Sequence, residues 1–183
     1  MIIAITGVPG TGKSTLARKL GERLGWEVLE VNDLVKKKGL WTRKEHGALV
    51  VDMAKLARSI TSSVAGKKNM IIEGHIICDI KMKADAIVVL RTNPKILRKR
   101  LRARGYPMKK IDENVLAEAL DYCTINAEEN YAQERVFEVD TTGILQESLG
   151  SLYAIAKGRG KKYFPGKVSW GKELEKEVLL VNQ

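Results

Sequence analysis

The 183-residue chain carries a net charge of +10 and is 44% apolar, the size of one ordinary domain that buries about 70% of its unfolded surface. No apolar stretch reaches membrane-spanning length, and Met1 leads straight into an apolar run without a basic-then-apolar leader, so a soluble protein is expected, cytoplasmic, or nuclear if the host has a nucleus. Only Cys78 and Cys123 occur, too few for a disulfide framework or a four-ligand zinc site, and both read as buried structural thiols.

Met1-Ile2-Ile3-Ala4-Ile5-Thr6 is apolar and β-branched and predicts a buried strand. It feeds directly into Gly7-Val8-Pro9-Gly10-Thr11-Gly12-Lys13-Ser14, which matches the phosphate-loop pattern G-x-x-x-x-G-K-[ST] at every fixed position. The glycines let backbone N–H groups turn inward around phosphate oxygens, and the helix expected from Lys13 to Gly25 aims its positive dipole end at the same place. Lys13 supplies a cation for the β- and γ-phosphates of ATP, and Ser14 a hydroxyl for Mg2+.

Glu27 to Val31 alternates polar and apolar and predicts a second strand ending at Asn32-Asp33. Residues just past a strand's carboxyl end face the ligand crevice, so Asp33 is either a helix cap or a contact to the second substrate. Val35 to Lys44 is short, basic and broken by Gly39, as a mobile flap would be. From about Gly47 to Val64 apolar residues recur at helical spacing, which places Asp52 within a helix as a solvated or paired carboxylate, or as a substrate contact. Met70-Ile71-Ile72 predicts a buried strand closing on Glu73, at a position where P-loop enzymes usually keep an Asp that helps hold Mg2+ through water. His75 lies just beyond, either as a hydrogen-bonded structural residue or as a group that orients water or a phosphoryl oxygen.

Ala84 to Leu90 predicts another buried strand, and Pro94 opens a helix running to Arg104. Nine basic residues and no acidic one lie between Arg91 and Lys110, a run that suits nucleotide phosphates or a solvated face. Gly105-Tyr106-Pro107 breaks the helix, and Asp112 is expected to cap a long helix through Ala127, leaving residues from about 103 to 112 as a short lid. Val136 to Asp140 predicts the last strand, Thr141-Thr142-Gly143 a turn near which an adenine ring could lie, and Ile144 to Ala156 the closing helix. The remaining 157–183 is a basic tail with Lys157, Arg159, Lys161 and Lys162 beside Tyr163, Phe164 and Trp170; it either grips RNA or packs its aromatics on the domain. Lys172 to Val181 is expected to form a short helix.

This order predicts an α/β P-loop NTPase fold, a parallel sheet flanked by helices, like that of small nucleoside-monophosphate kinases with a short lid; shikimate kinase and other sugar-acid kinases share it. The combination Gly7 to Thr15, Val31-Asn32-Asp33-Leu34, Glu73-Gly74-His75, Val89-Leu90-Arg91-Thr92 and Arg104-Gly105-Tyr106 resembles the adenylate kinase isoenzyme family that acts in small-ribosomal-subunit maturation. The resemblance spans residues 1–156, the expected kinase domain.

That resemblance implies an adenylate kinase and ATPase that uses Mg-ATP and AMP, binds ribosomal protein uS11 and assists rRNA processing. Gly10, Gly12, Lys13, Ser14 and Thr15 would contact ATP phosphates, and Arg104 would contact ATP. Residues from about 30 to 53 would form the monophosphate-binding part, with Asp33 in it. Lys13, Arg104 and His75 would be catalytic, and Ser14 and Glu73 would serve the metal. The family often carries Asp-x-His after its third strand, whereas this chain has Glu73-x-His75 with an altered spacing to Asp79. Two other readings compete: an ATP-driven assembly factor whose kinase activity is incidental, and a kinase for a small metabolite alcohol.

Overall fold

The computed structural model describes residues 1–45 and 48–175. Its elements in chain order are β1 (Ile2–Thr6), α1 (Lys13–Leu24), β2 (Glu27–Glu30), α2 (Val31–Lys38), β3 (Trp41–Glu45), β4 (Ala48–Val51), α3 (Met53–Val64) and β5 (Met70–Glu73). A 3-10 turn (His75–Asp79) follows, then β6 (Ala86–Arg91), α4 (Pro94–Ala103), α5 (Met108–Ala119), α6 (Tyr122–Asn130), β7 (Val136–Asp140) and α7 (Leu145–Ala156).

β1, β5 and β6 are buried along their whole length, as unbroken apolar strands must be when helices cover both faces of a sheet. They form the middle of a parallel five-stranded sheet ordered β2-β5-β1-β6-β7. On one face Leu16 and Leu20 of α1 and Leu149 and Leu152 of α7 pack against Ile3, Ile5 and Val88. On the other, Leu56 and Ile60 of α3, Leu97 and Leu101 of α4 and Val115 of α5 pack against Ala4, Ile72 and Val89. The register sets Ile5 beside Glu73 and Thr6 beside Val89, so β1 and β5 finish within one residue of each other and β6 runs two residues further. There Gly7, at φ 136°, passes so close to β6 that a Cβ would lie 2.6 Å from the Leu90 carbonyl oxygen. Only glycine satisfies both the backbone angle and the approach.

Several sequence expectations are corrected. Glu27–Val31 is one residue shorter as a strand, because Val31 opens α2; the expected flap 35–44 is therefore the rest of α2, the left-handed Gly39 that ends it, and most of β3. The expected helix from Gly47 begins only at Met53, since β3 and β4 form an antiparallel hairpin. Asp52 is the N-cap of α3, accepting the Lys55 N–H at 3.0 Å, a bond that an earlier helix start would preclude. Leu49 and Val51 reach the core from β4 at strand spacing, and Leu49 imitates a helical stripe only because it lies four residues before Met53. Asp112 is no cap: α5 starts at Met108, and Asp112 pairs with Arg98 from inside it. The long helix breaks at Asp121, whose φ of 56° is left-handed. Gly47 and residues beyond 175 lie outside the described residues; of the expected terminal helix, 171–175 is helical.

Arg91 explains the break. It is 1% exposed; its Nε donates to Glu118 at 2.8 Å, and its Nη groups donate to Glu138 and Asp121. The tail completes this network: the Gly166 N–H donates to Glu138 and the Trp170 Nε1–H to Glu118, each at 3.0 Å. Phe164 stacks on Phe137 with centroids 5.4 Å apart. Phe164 and Trp170 are thus turned toward the domain. Arg91→Leu would strand Glu118 and Glu138 without a counter-ion, and urea unfolding should show a loss of about 3–5 kcal/mol.

Candidate active site

The phosphate loop folds because β1 stops at Thr6 and α1 starts at Lys13, with Gly12 at φ 96° as the N-cap. The Lys13 Nζ donates to the Gly7 and Val8 carbonyls at 2.8 and 3.0 Å, and the Thr11 hydroxyl donates to Val8 at 3.0 Å. The Ser14 hydroxyl donates to Glu73 Oε1 at 3.0 Å, across from the end of β5. A cleft of about 240 Å³ opens over these groups. Gly10, Gly12, Lys13, Ser14, Thr15, Glu73, His75 and Arg104 all line it, so the structure gathers those eight expected residues in one place.

Burial lowers the Lys13 pKa, with Glu73 opposing the shift. Burial raises that of Glu73, which is 3% exposed, while the Ser14 hydroxyl and Lys13 pull it back. At His75 desolvation within the cleft, followed by the Lys13 charge, lowers the pKa from 6.5 to about 4 against the pull of Asp79. His75 is an exposed residue, and at pH 7 its imidazole is neutral, able to accept a hydrogen bond from water.

Asp33 is not brought to the cleft. It is exposed in the first turn of α2, where Glu30 is the N-cap, and lines a separate groove with Glu27, Lys37 and Lys67. Its neighbour Asn32 lines the cleft instead, because a helix turns ~100° per residue. Tyr106, beside Arg104 in the α4–α5 connector, also lines the cleft; the break at Gly105-Tyr106-Pro107 is visible in sequence but does not show which way the ring faces. A second depression of about 200 Å³ shares Gly10, Gly12, Thr15 and Arg104 with the cleft and reaches Thr141 and Gly143, the turn expected near an adenine ring. Arg100 lines it and donates to the Thr141 carbonyl at 2.7 Å. Of the other basic residues, Arg91 is committed to the core and Arg98 to Asp112.

Among the described residues no cluster of three or more His, Cys, Asp or Glu could hold a metal. Ser14 and Glu73 nevertheless offer two hard oxygens 3.0 Å apart beside the phosphate loop, a donor set that fits Mg2+ arriving with a nucleotide. Because the folded chain takes up the His75 proton later than the unfolded chain, stability falls as pH drops from 6.5 toward 4. In an NMR titration the His75 ring should titrate near 4, and Lys13→Ala should move that midpoint upward.

The chain matches the family described as "AAA domain" over residues 3–121. It is 41% identical over 180 residues to a protein of Thermococcus kodakarensis named "Putative adenylate kinase", covering 98% of this chain and 97% of that one. A protein of the same name from Thermococcus onnurineus is 38% identical over 179 residues, covering 97% and 96%. Among solved structures, shikimate kinase from Bacteroides thetaiotaomicron superposes with a TM-score of 0.56 at 19% identity, over 86% of this chain and 98% of its own, a likeness of fold. By its phosphate loop, its parallel sheet and these full-length archaeal relatives, the chain belongs to the adenylate-kinase-like P-loop family.

Proposed function

We propose that this protein transfers the γ-phosphoryl group of ATP to AMP, and hydrolyses ATP when water takes the acceptor's place. The observation that carries this is the convergence of Lys13, Ser14, Glu73, His75 and Arg104 on one cleft at the carboxyl ends of the sheet. In this reading Lys13 and Arg104 stabilise the charge that spreads over the transferring group, and the amides at the start of α1 hold the phosphates. Ser14 and Glu73 would hold Mg2+, which when bound neutralises phosphate charge. Neutral His75 orients water or a phosphoryl oxygen. Tyr106 and Arg104, on the short connector after α4, close over the nucleotide. AMP as acceptor is supported by the names of the archaeal relatives.

The deciding experiment follows ADP and phosphate separately during ATP consumption with Mg2+, with and without AMP. AMP should convert phosphate release into ADP formation, and Lys13→Ala should lower turnover about 100-fold or more. A variant that keeps most of its turnover would sink the assignment. Activity on sugar acids in a panel of acceptors, without activity on AMP, would point to a metabolite kinase.

The exposed cations Lys157, Arg159, Lys161 and Lys162 favour a second role in which the ATP cycle acts on a ribosomal partner, uS11 or rRNA. Because coupling between sites is reciprocal, uS11 should then change ATP turnover, and ATP should change uS11 affinity by the same factor as uS11 changes ATP affinity. Equal uS11 affinity with ATP, ADP and no nucleotide would exclude it.

A further inference from the structure

We propose that α6 is a bracket that sets the position of His75, with Asn126 as its principal positioning residue; this rests on the reading of the cleft as a phosphoryl-transfer site. His75 stands at the start of a five-residue 3-10 turn, an element too short and too poorly bonded to hold its own place. The turn is fastened at two ends. At the cleft end the His75 carbonyl accepts from the Thr6 hydroxyl at 3.0 Å and from Cys78 Sγ at 3.2 Å, which ties it to β1.

The far end is held by α6 and by Tyr131, the residue that follows it. Tyr122, Asn126 and Asn130 are four residues apart and therefore share one helix face. The Asn126 amide donates to Asp79 Oδ1 at 2.6 Å, and the Tyr122 hydroxyl donates to the same oxygen at 2.9 Å. Asn130 donates to the Cys78 carbonyl at 2.9 Å, and the Tyr131 hydroxyl, just past the helix, donates to the Ile80 carbonyl at 2.6 Å. Ile77 and Cys78 are buried in the same core. Apolar contact alone would let the turn slide; directional bonds to successive residues fix its register.

The bracket is itself anchored. Asp121 pairs with Arg91, and the Thr124 hydroxyl donates to Glu138 at 2.8 Å, so α6 is tied to the end of β6 and the middle of β7. Tyr122, Asn126 and Asn130 do not line the cleft, so they act on the reaction only through the turn that carries His75.

The test compares wild type, Asn126→Ala and the double variant D79N/N126D, which exchanges amide and carboxylate and so restores the bond between them. Asn126→Ala should lower kcat for ATP consumption about 10-fold or more while leaving KM for ATP unchanged, because the phosphate loop is untouched. The double variant should recover most of kcat. With only two histidines in the chain, the His75 ring resonance can be followed at fixed pH; it should shift in Asn126→Ala and return in the double variant. If Asn126→Ala does not fold, Tyr122→Phe, which removes one hydroxyl from the same carboxylate, carries the comparison with a smaller expected loss of kcat. An active wild type with Asn126→Ala unchanged in kcat, or a double variant no better than the single, overturns the bracket. A wild type that consumes no ATP overturns the functional reading, and the bracket's role with it.

Discussion

A guanidinium buried at the carboxyl end of β6 is the constraint on which the rest of this structure depends. Taking Arg91 out of water costs several kcal/mol unless carboxylates and hydrogen bonds surround it, and Glu118, Glu138 and Asp121 do so from three different elements. Burial works against its charge, and those three carboxylates outweigh burial and raise its pKa. The carboxylates must be brought together for this, which is why α5 ends, the chain passes through a left-handed aspartate, and α6 starts in a new direction. Asp accepts that conformation more readily than most residues. The tail then closes the cluster through Gly166 and Trp170, so residues 157–175 pack as part of the domain.

The cleft inherits this rigidity. Arg91 is the last residue of the strand whose Leu90 carbonyl meets Gly7, and its own carbonyl accepts the Thr141 N–H at 2.7 Å. One strand end therefore sets both the first bend of the phosphate loop and the turn that borders the second depression. The same cluster anchors α6, which in turn holds the segment bearing His75. A reactive constellation needs supporting bonds of this kind, since a misplacement of ~1 Å can cost about 100-fold in rate.

Within the cleft the charges bias one another. Lys13 is disfavoured as a cation by burial and favoured by Glu73; Glu73 is disfavoured as an anion by burial and favoured by Ser14 and Lys13. In each group burial is the largest influence, and the partner's charge opposes it. His75, beside the same ammonium, stays neutral. A site arranged in this way sets an amine, a carboxyl group and a neutral imidazole around the space a polyphosphate would take, each shifted first by burial and then by its neighbours.

The phosphate loop was legible because its function requires residue types at fixed spacing along one continuous stretch, and the buried strands were legible because an unbroken apolar run has few other homes. Glu73 and His75 could be placed from the end of such a strand. Asn32 and Tyr106 could not, because facing the cleft depends on the start of α2 and on a break between helices, each a matter of one residue. The hairpin before α3 was hidden by apolar spacing that serves a strand pair and a helix alike, and the break at Asp121 by a partner 30 residues away. Sequence by itself determined what is local: the nucleotide-binding loop, the sheet's strands and the adenylate-kinase-like P-loop family. Only the tertiary structure decided that Arg91 serves the core, that Phe164 and Trp170 of the tail face inward, and that α6 reaches the reactive segment. Burial and ion pairing are settled by groups far apart in the chain, and no local pattern records them.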